Sequence, residues 1–379
     1  MFLQIHTLTA YPASLLNRDD AGLAKRIPFG NAQRLRVSSQ CLKRHWRETV
    51  TPQLPELPDG QRTRSFFTRT VLPRAIAAGV PQACAQSLIE PLAKALIKGG
   101  VKEGGDLNQP VLLGLREADY FVQLMRDASQ LDDPLQALEE RLKTKGEKDN
   151  LKAMSKAAAG LSAALFGRMV TSDLLARVDA PVHVAHAFTV HAAQTEMDYF
   201  TVVDDLNRDD ETGAAHANQT ELGAGVYYGY VVVDVPLLVS NLSGCEAKDW
   251  LSPDPSTARK VLEVLLHAIL LQSPGAKLGS TAPYAHADFL LLEVGRTQPR
   301  ALSNAFLNSV RPRDGLDLRQ SALEALAGYM ARLDAMYGRA GASRHCASAL
   351  DLPSKLPAAQ TVPEALQAAL GALWSQRTA

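Results

Sequence analysis

Three absences narrow the reading of this chain before any motif is considered. Cysteine is scarce: Cys41, Cys84, Cys245 and Cys346 are the only four, far apart and without a C-x-x-C pair. That spacing offers neither a zinc site nor a disulfide framework, and such residues most often serve as small buried hydrophobes. Long apolar runs are missing too, since none approaches the roughly 18 residues needed to cross a bilayer. The opening MFLQIHTLTAYP lacks the cationic start and apolar centre of a signal peptide, so a cytoplasmic protein with no membrane partner is expected. Net charge is also lacking, because 40 Lys and Arg balance 40 Asp and Glu. Bulk electrostatic coating of nucleic acid is thereby disfavoured.

Catalytic signatures are absent as well. SPGAKLGSTAP holds Gly275, Lys277 and Gly279 but not in P-loop order, no G-x-G-x-x-G follows a strand, and there is no G-x-S-x-G elbow. In HVAHAFTVH a strand would put His183 and His191 on one face and His186 on the other, so these and His216 favour hydrogen-bonded roles over a metal site. DDLNRDDET is rich in carboxylates, yet Arg208 sits among them without ligand spacing, which favours a solvated loop tip over a divalent cation. No catalytic residue, metal or cofactor is expected.

What is present is a globular chain, 46% hydrophobic over 379 residues, enough for a large domain with insertions or for two domains. Its charge is segregated: residues 1–75 hold 12 Lys and Arg against 5 Asp and Glu, and the remainder is acidic by the same margin. That distribution suits a local anion site on a molecule that could also meet its own copies through opposite charges.

Along the chain, FLQIHTLTA (2–10) reads as a strand ended by Pro12, and RLRVS as a short strand with Leu35 and Val37 on one face and Arg34 and Arg36 on the other. Residues 39–50 read as a helix closed by Pro52, Pro55 and Pro58. From 61 to 179 the pattern is helical, with KGGVKEGGD and RLKTKGEKDN as linkers. Strand-like sequence resumes at 180–192 and 226–235, separated by a long polar stretch that reads as an extended loop or hairpin arm. A helix at 256–272, a strand at 286–295 and helices near 317–337 and 361–376 complete the chain. Without the insertions the order is strand, helix, strand, strand, helix, strand. That predicts an α+β, ferredoxin-like or RRM-like fold.

The stretch IPFGNAQRLRVSSQCLKRHWRE concentrates the chemistry. Gln40, Lys43, Arg44 and Arg47 share one helical stripe, beside Leu42, His45 and Trp46 on the neighbouring one. A helix N-terminus prefers acidic side chains, yet none arrives before Glu48, and Ser38 and Ser39 supply hydroxyls at the same end. One reading is a solvated basic face with Ser39 as a plain cap. The other joins Arg34 and Arg36 to the helix as a cationic track suited to a phosphodiester backbone. MDYFTVVDD offers Met197, Tyr199 and Phe200 either to core packing or as a wedge against unpaired bases.

At LNRDDAGLAKR, FGNAQRLRVSSQCLKRHWR, ALFGRMVTSD and HAFTVHAAQTEMDYFTVVDD, and again at GAGVYYGY, SPGAKLGS and LSNAFLNSV, the sequence resembles the CasC (Cse4) family, the backbone subunits of the type I-E CRISPR Cascade complex. The resemblance runs from near residue 2 to at least 310. It implies an RRM-like palm (1–59, 181–193 and 223–310), a helical fingers insertion (60–180), a thumb (194–222) and C-terminal helices on the palm (311–379). It further implies a non-catalytic antiviral subunit that stacks in six copies along a CRISPR RNA, beside other Cascade subunits, and presents the guide to a target DNA strand. The phosphate contacts it implies are Arg18, Lys25, Ser38, Ser39, Gln40, Lys43, Arg44 and Arg47. Met169 is the implied apolar contact to bases, Tyr199 and Phe200 belong to the base-displacing thumb, and Thr201 lies beside the kinked nucleotide. One departure stands out: Asn31, Ala32 and Gln33 occupy a loop that is often basic in the family, so fewer phosphate contacts are expected there. Two alternatives remain open. One is a metal-dependent ribonuclease using Asp19 or Asp20, as in related CRISPR effectors; the other is a protein-binding ferredoxin-like module whose cations meet acidic partners.

Overall fold

Residues Leu3 to Leu8 are buried without a break, apolar on both faces of the first strand, β1 (Phe2–Ser14), which continues through Pro12 instead of ending there. The computed structural model describes the chain except residues 98–99, 170–171, 173, 176, 203–215, 276–277, 314, 339–342 and 376–379, and leaves aside the side chains of 154–158, 201–202 and 216–218. Two compact units emerge. The first comprises 1–50, 184–233 and 259–379; the second comprises 51–183 and 234–258.

The first unit is built on a sheet whose strands follow the order 343–348, 289–295, β1, 216–234, 187–189, β3 (Ala32–Val37) and β2 (Arg26–Phe29). With helix α1 (Ser39–Gln53) and helix Ser256–Leu271, the central four strands lie in the sheet as fourth, first, third and second along the chain. This is the ferredoxin-like α+β arrangement. Helix α1 runs one turn past the expected end and contains Pro52, which is tolerated in its last turn. A further strand, Ser343–Ser348, pairs antiparallel with 289–295 and extends the sheet beyond the ferredoxin-like core.

Both sheet faces are covered. On one, Ile5 and Thr7 together with Leu42, Trp46 and Ile269 line a cavity of only about 50 Å³, so α1 and helix 256–271 close that side. On the other, Leu8, Tyr228, Phe289 and Phe306 form a core with Leu323, Leu326 and Met330 of helix Leu318–Tyr337. Nearby, Glu293 is buried beside His6, Arg300 and Arg344. Burial would raise this carboxyl, but His6 at 3.3 Å, followed by Arg344 and Arg300, holds it down at about 2.

The second unit is mainly helical, with a core centred on Phe66, Phe67, Leu92, Phe121 and Leu124. A two-stranded hairpin, Gly60–Thr63 with Val111–Gly114, accompanies the helices. Helix Val235–Ser243 belongs to this unit, where the Asn241 amide donates to the carbonyls of Ala164 (3.1 Å) and Asp179 (3.0 Å). Segment 234–258, read from sequence as palm, therefore packs with the helical unit, which is not one continuous insertion.

Candidate nucleic-acid interface

The basic end of α1 is assembled by its neighbours in the chain. Leu42, Trp46 and Val50 are buried one turn apart and fix the helix's rotation. Ser38 is the cap: its hydroxyl accepts the Cys41 N–H at 3.3 Å and its carbonyl accepts the Leu42 N–H at 3.1 Å. The expected Ser39 cap is thereby corrected. Ser39, half-buried, and Gln40, exposed, are left as the outward polar groups of that turn.

The 17–25 loop is bolted to the same turn. Asn17 accepts the Ser38 N–H through Oδ1 at 2.9 Å, and its carbonyl accepts the Lys25 N–H at 2.9 Å. Asp19 spends one carboxylate oxygen within the loop, accepting the N–H groups of Ala21 (3.0 Å) and Leu23 (2.9 Å). Asp20 and Arg18 are exposed at the loop's surface. Among the described residues, no three His, Cys, Asp or Glu side chains gather as a metal site would require.

This anchoring brings the cations together. Burial raises the Cys41 thiol pKa, while the charges of Arg44 and Lys25 pull it back down, so a loop lysine and a helix arginine converge on one side chain. Arg36 donates to His186 Nδ1 at 3.0 Å; burial, then Arg36 and Lys25, push that imidazole below its ordinary pKa. Arg44 is exposed and pairs with Glu48 at 2.9 Å, a surface pair that phosphate can displace. Lys43 and Arg47 are half-buried, and burial lowers the Lys43 amine.

Arg34 does not belong to this patch. It is fully buried and donates to the carbonyls of Phe29 (3.3 Å), Thr189 (3.5 Å) and Phe306 (2.8 Å). The basic strand face expected from the alternation is thus a single cation, Arg36, beside a buried structural one. The Asn31 loop is likewise occupied internally. Its N–H donates to the Leu307 carbonyl at 3.0 Å, and its side chain accepts the Ser309 N–H at 2.8 Å. Gly30 holds φ +60° there, where a Cβ would collide with the Leu307 carbonyl oxygen.

A hairpin arm rises from the same unit: Gln194–Val202 pairs antiparallel with the first part of His216–Asp234. Met197 is 48% exposed, Tyr199 61% and Phe200 37%, so core packing does not account for them. Strand alternation places Met197 and Tyr199 on one face and Phe200 on the other. The side chain of Thr201 lies outside the described residues. Opposite Met197 stands Glu221, buried, which accepts the Ala24 N–H at 2.7 Å and pairs with Arg26; Arg26 also donates to Thr195 at 3.1 Å. The arm's root is therefore tied to the 17–25 loop and β2. Nothing in the local sequence signalled Glu221, because its partners lie almost 200 residues upstream.

His191 is structural: Nδ1 donates to the Ala192 carbonyl at 2.8 Å and Nε2 accepts the Val226 N–H at 3.2 Å. Gly225 leaves that ring its space, since a Cβ there would lie 2.3 Å from Nε2. The sheet face that an RRM offers to bases is filled by the helix 318–337 core. The edge formed by the loop, α1 and the arm is not part of that core. In the helical unit, Met169 is 81% exposed.

The model of one family, described as CT1975-like protein, matches residues 3–372. The chain belongs to this family. Among solved structures, this CT1975-like protein is similar to a chain of a CRISPR RNA-guided surveillance complex described as pre-nicking, at 27% identity and TM-score 0.77, covering 98% of this chain and 100% of that one. A chain of a second CRISPR RNA-guided surveillance complex shares the fold, at 24% identity and TM-score 0.62, with 98% and 99% covered. A search of curated proteins found no match. Among the described residues, no helix is long and apolar enough to cross a membrane.

Proposed function

We propose that this CT1975-like protein is a non-catalytic backbone subunit of a type I-E Cascade complex, binding CRISPR RNA and stacking copy upon copy along it in the cytoplasm. The observation that carries the reading is the convergence of Lys25, Arg36 and Arg44 at the capped start of α1, on the unit that also carries an arm with exposed Met197 and Tyr199. Cations in a row neutralise phosphates without reading sequence, and exposed aromatic and thioether side chains cover unstacked bases. The similarity to a chain of a CRISPR RNA-guided surveillance complex supports the same role.

In this reading Arg18, Lys25, Ser39, Gln40, Lys43, Arg44 and Arg47 contact phosphates, and Ser38 holds the turn as its cap. Met197 and Tyr199 bear on a displaced base, and Phe200 faces the other side of the arm. Presentation of the guide to a target DNA strand, six copies per complex and contact with other Cascade subunits complete the proposal.

The test is RNA binding against salt for the wild type and for Lys43→Glu/Arg47→Glu. The proposal requires a log-log slope of about −0.7 per phosphate neutralised, a shallower slope in the variant, and little dependence on base sequence. An unchanged slope would hand the cations to a protein partner. Incubating the complex with complementary RNA and Mg²⁺ tests the ribonuclease alternative, for which cleavage abolished by Asp20→Ala would be decisive.

A further inference from the structure

The arm is not free to turn about its length, because three contacts set which way its face looks. In an antiparallel pair, residues directly opposite each other project from the same face. Thr195 stands opposite Gly223, Met197 opposite Glu221 and Tyr199 opposite Gln219, so these six share one face of the arm. A Cβ at Gly223 would lie 2.5 Å from Cδ1 of buried Leu35, so the arm approaches β3 as closely as glycine permits. The Thr195 hydroxyl accepts from Arg26 at 3.1 Å, and the Glu221 carboxylate accepts the Ala24 N–H at 2.7 Å while pairing with Arg26. The face that carries Met197 and Tyr199 is therefore the one turned towards residues 24–26.

Arg26 is the strap in this arrangement. Its guanidinium joins Thr195 on the first arm strand to Glu221 on the second, and its main chain lies in β2, paired with Leu35. Its charge is matched by a carboxylate that is only 5% exposed, and such partly buried pairs are screened by salt much less than exposed ones. The neighbours of the strap are the cations of the loop. Arg18 bridges to Ala24 through the main chain, and Lys25 follows directly, its N–H bound to the Asn17 carbonyl and its own carbonyl accepting from Arg36. Strand rise places Met197 and Tyr199 about 7 and 13 Å beyond Thr195 along the same face.

We infer that Arg26 is a positioning residue: through Glu221 and Thr195 it holds the Met197–Tyr199 face of the arm beside the 17–25 loop, so that loop cations and arm aromatic engage one strand together. Although it lies in the most basic part of the chain, Arg26 then contacts no phosphate itself. Its charge is already neutralised within the fold, and its fork spans the two strands of the arm. Loop and arm thereby act as one clamp, since neither can move against the other without breaking the strap. The inference rests on the proposed RNA-binding function and names what sets its arm against its phosphate loop.

The test is the affinity of the full-length protein for single-stranded RNA across a salt series, for Arg26→Met, Tyr199→Ala and the two combined. Hydrogen exchange at Ala24 reports that each variant is folded, since Glu221 still accepts that amide when Arg26 is gone. Arg26→Met should weaken binding about fivefold, the lower end of a base–aromatic contact, with the salt slope unchanged. The double variant should bind no more weakly than Tyr199→Ala alone, because both substitutions remove the same contact. Arg26→Lys, which can still pair with Glu221, should recover most of the loss. A slope shallower by about 0.7 in Arg26→Met would make Arg26 a phosphate contact, and fully additive losses would show that it does not position the arm. Either result would overturn the strap and leave the proposed function standing. Absence of RNA binding by the wild type would overturn both.

Discussion

Arg34 separates a structural cation from a binding one, and the substitution Arg34→Met tests that distinction. Methionine fills much of the same channel but donates nothing. The carbonyls of Phe29 and Phe306, which accept at 3.3 and 2.8 Å, would lose a buried partner, while the 3.5 Å contact to Thr189 is too long to count fully. Each orphaned buried acceptor costs roughly 1–3 kcal/mol, and removing the buried charge returns part of that, so a net loss of about 3 kcal/mol is expected. Burial already lowers the Arg34 pKa, in keeping with a guanidinium held by neutral carbonyls instead of a carboxylate. Urea unfolding should show a lower midpoint with an unchanged slope. RNA binding of the folded variant should keep the wild-type salt slope. Undiminished stability with a salt slope reduced by about 0.7, one phosphate's worth on a single strand, would refute the reasoning, because Arg34 would then reach the RNA.

Other consequences can be checked separately. Glu221→Ala removes the acceptor for the Ala24 N–H and the partner of Arg26; it should cost roughly 2 kcal/mol and speed hydrogen exchange at Ala24, whereas Glu221→Gln should restore protection of that amide. Glu293 is held down from 4.5 to about 2, so its contribution, up to about 3 kcal/mol, is complete above pH 4.5 and is lost as pH falls towards 2. Urea midpoints measured between pH 6 and pH 3 should therefore fall more steeply for the wild type than for Glu293→Gln. On the arm, Tyr199→Ala should weaken RNA binding by roughly 1–3 kcal/mol and quench a base-analogue signal at the displaced position, while Phe200→Ala, on the opposite face, should do far less. The reverse ranking would place the strand on the other side of the arm.

Local patterns carried the helices and the central strands. The stripe of Leu42, Trp46 and Val50 set the face of α1, and the apolar run at 289–295 could only be a buried strand. What those patterns could not carry was the cover on each face. Alternation correctly put Arg34 and Arg36 on one side of β3, but segment 303–306 and strand 187–189 close over Arg34, and no feature near residue 34 reveals them. Strand Ser343–Ser348 escaped for a related reason. SRHCAS has mixed polarity, and it becomes a strand by pairing with 289–295, not by its own pattern. The hairpin arm was legible as an extended polar stretch with aromatic residues beside it, but its anchoring through Glu221 was not.

Assembly on RNA is the central claim, and sedimentation tests it most directly. The protein, with its partner subunits and CRISPR RNAs of two spacer lengths, would be compared by analytical ultracentrifugation with Lys43→Glu/Arg47→Glu prepared in the same way. The account predicts that complex mass rises in whole protein copies as the spacer lengthens and that the double variant fails to assemble. Mass that ignores spacer length would contradict it and return the basic turn of α1 to a protein partner.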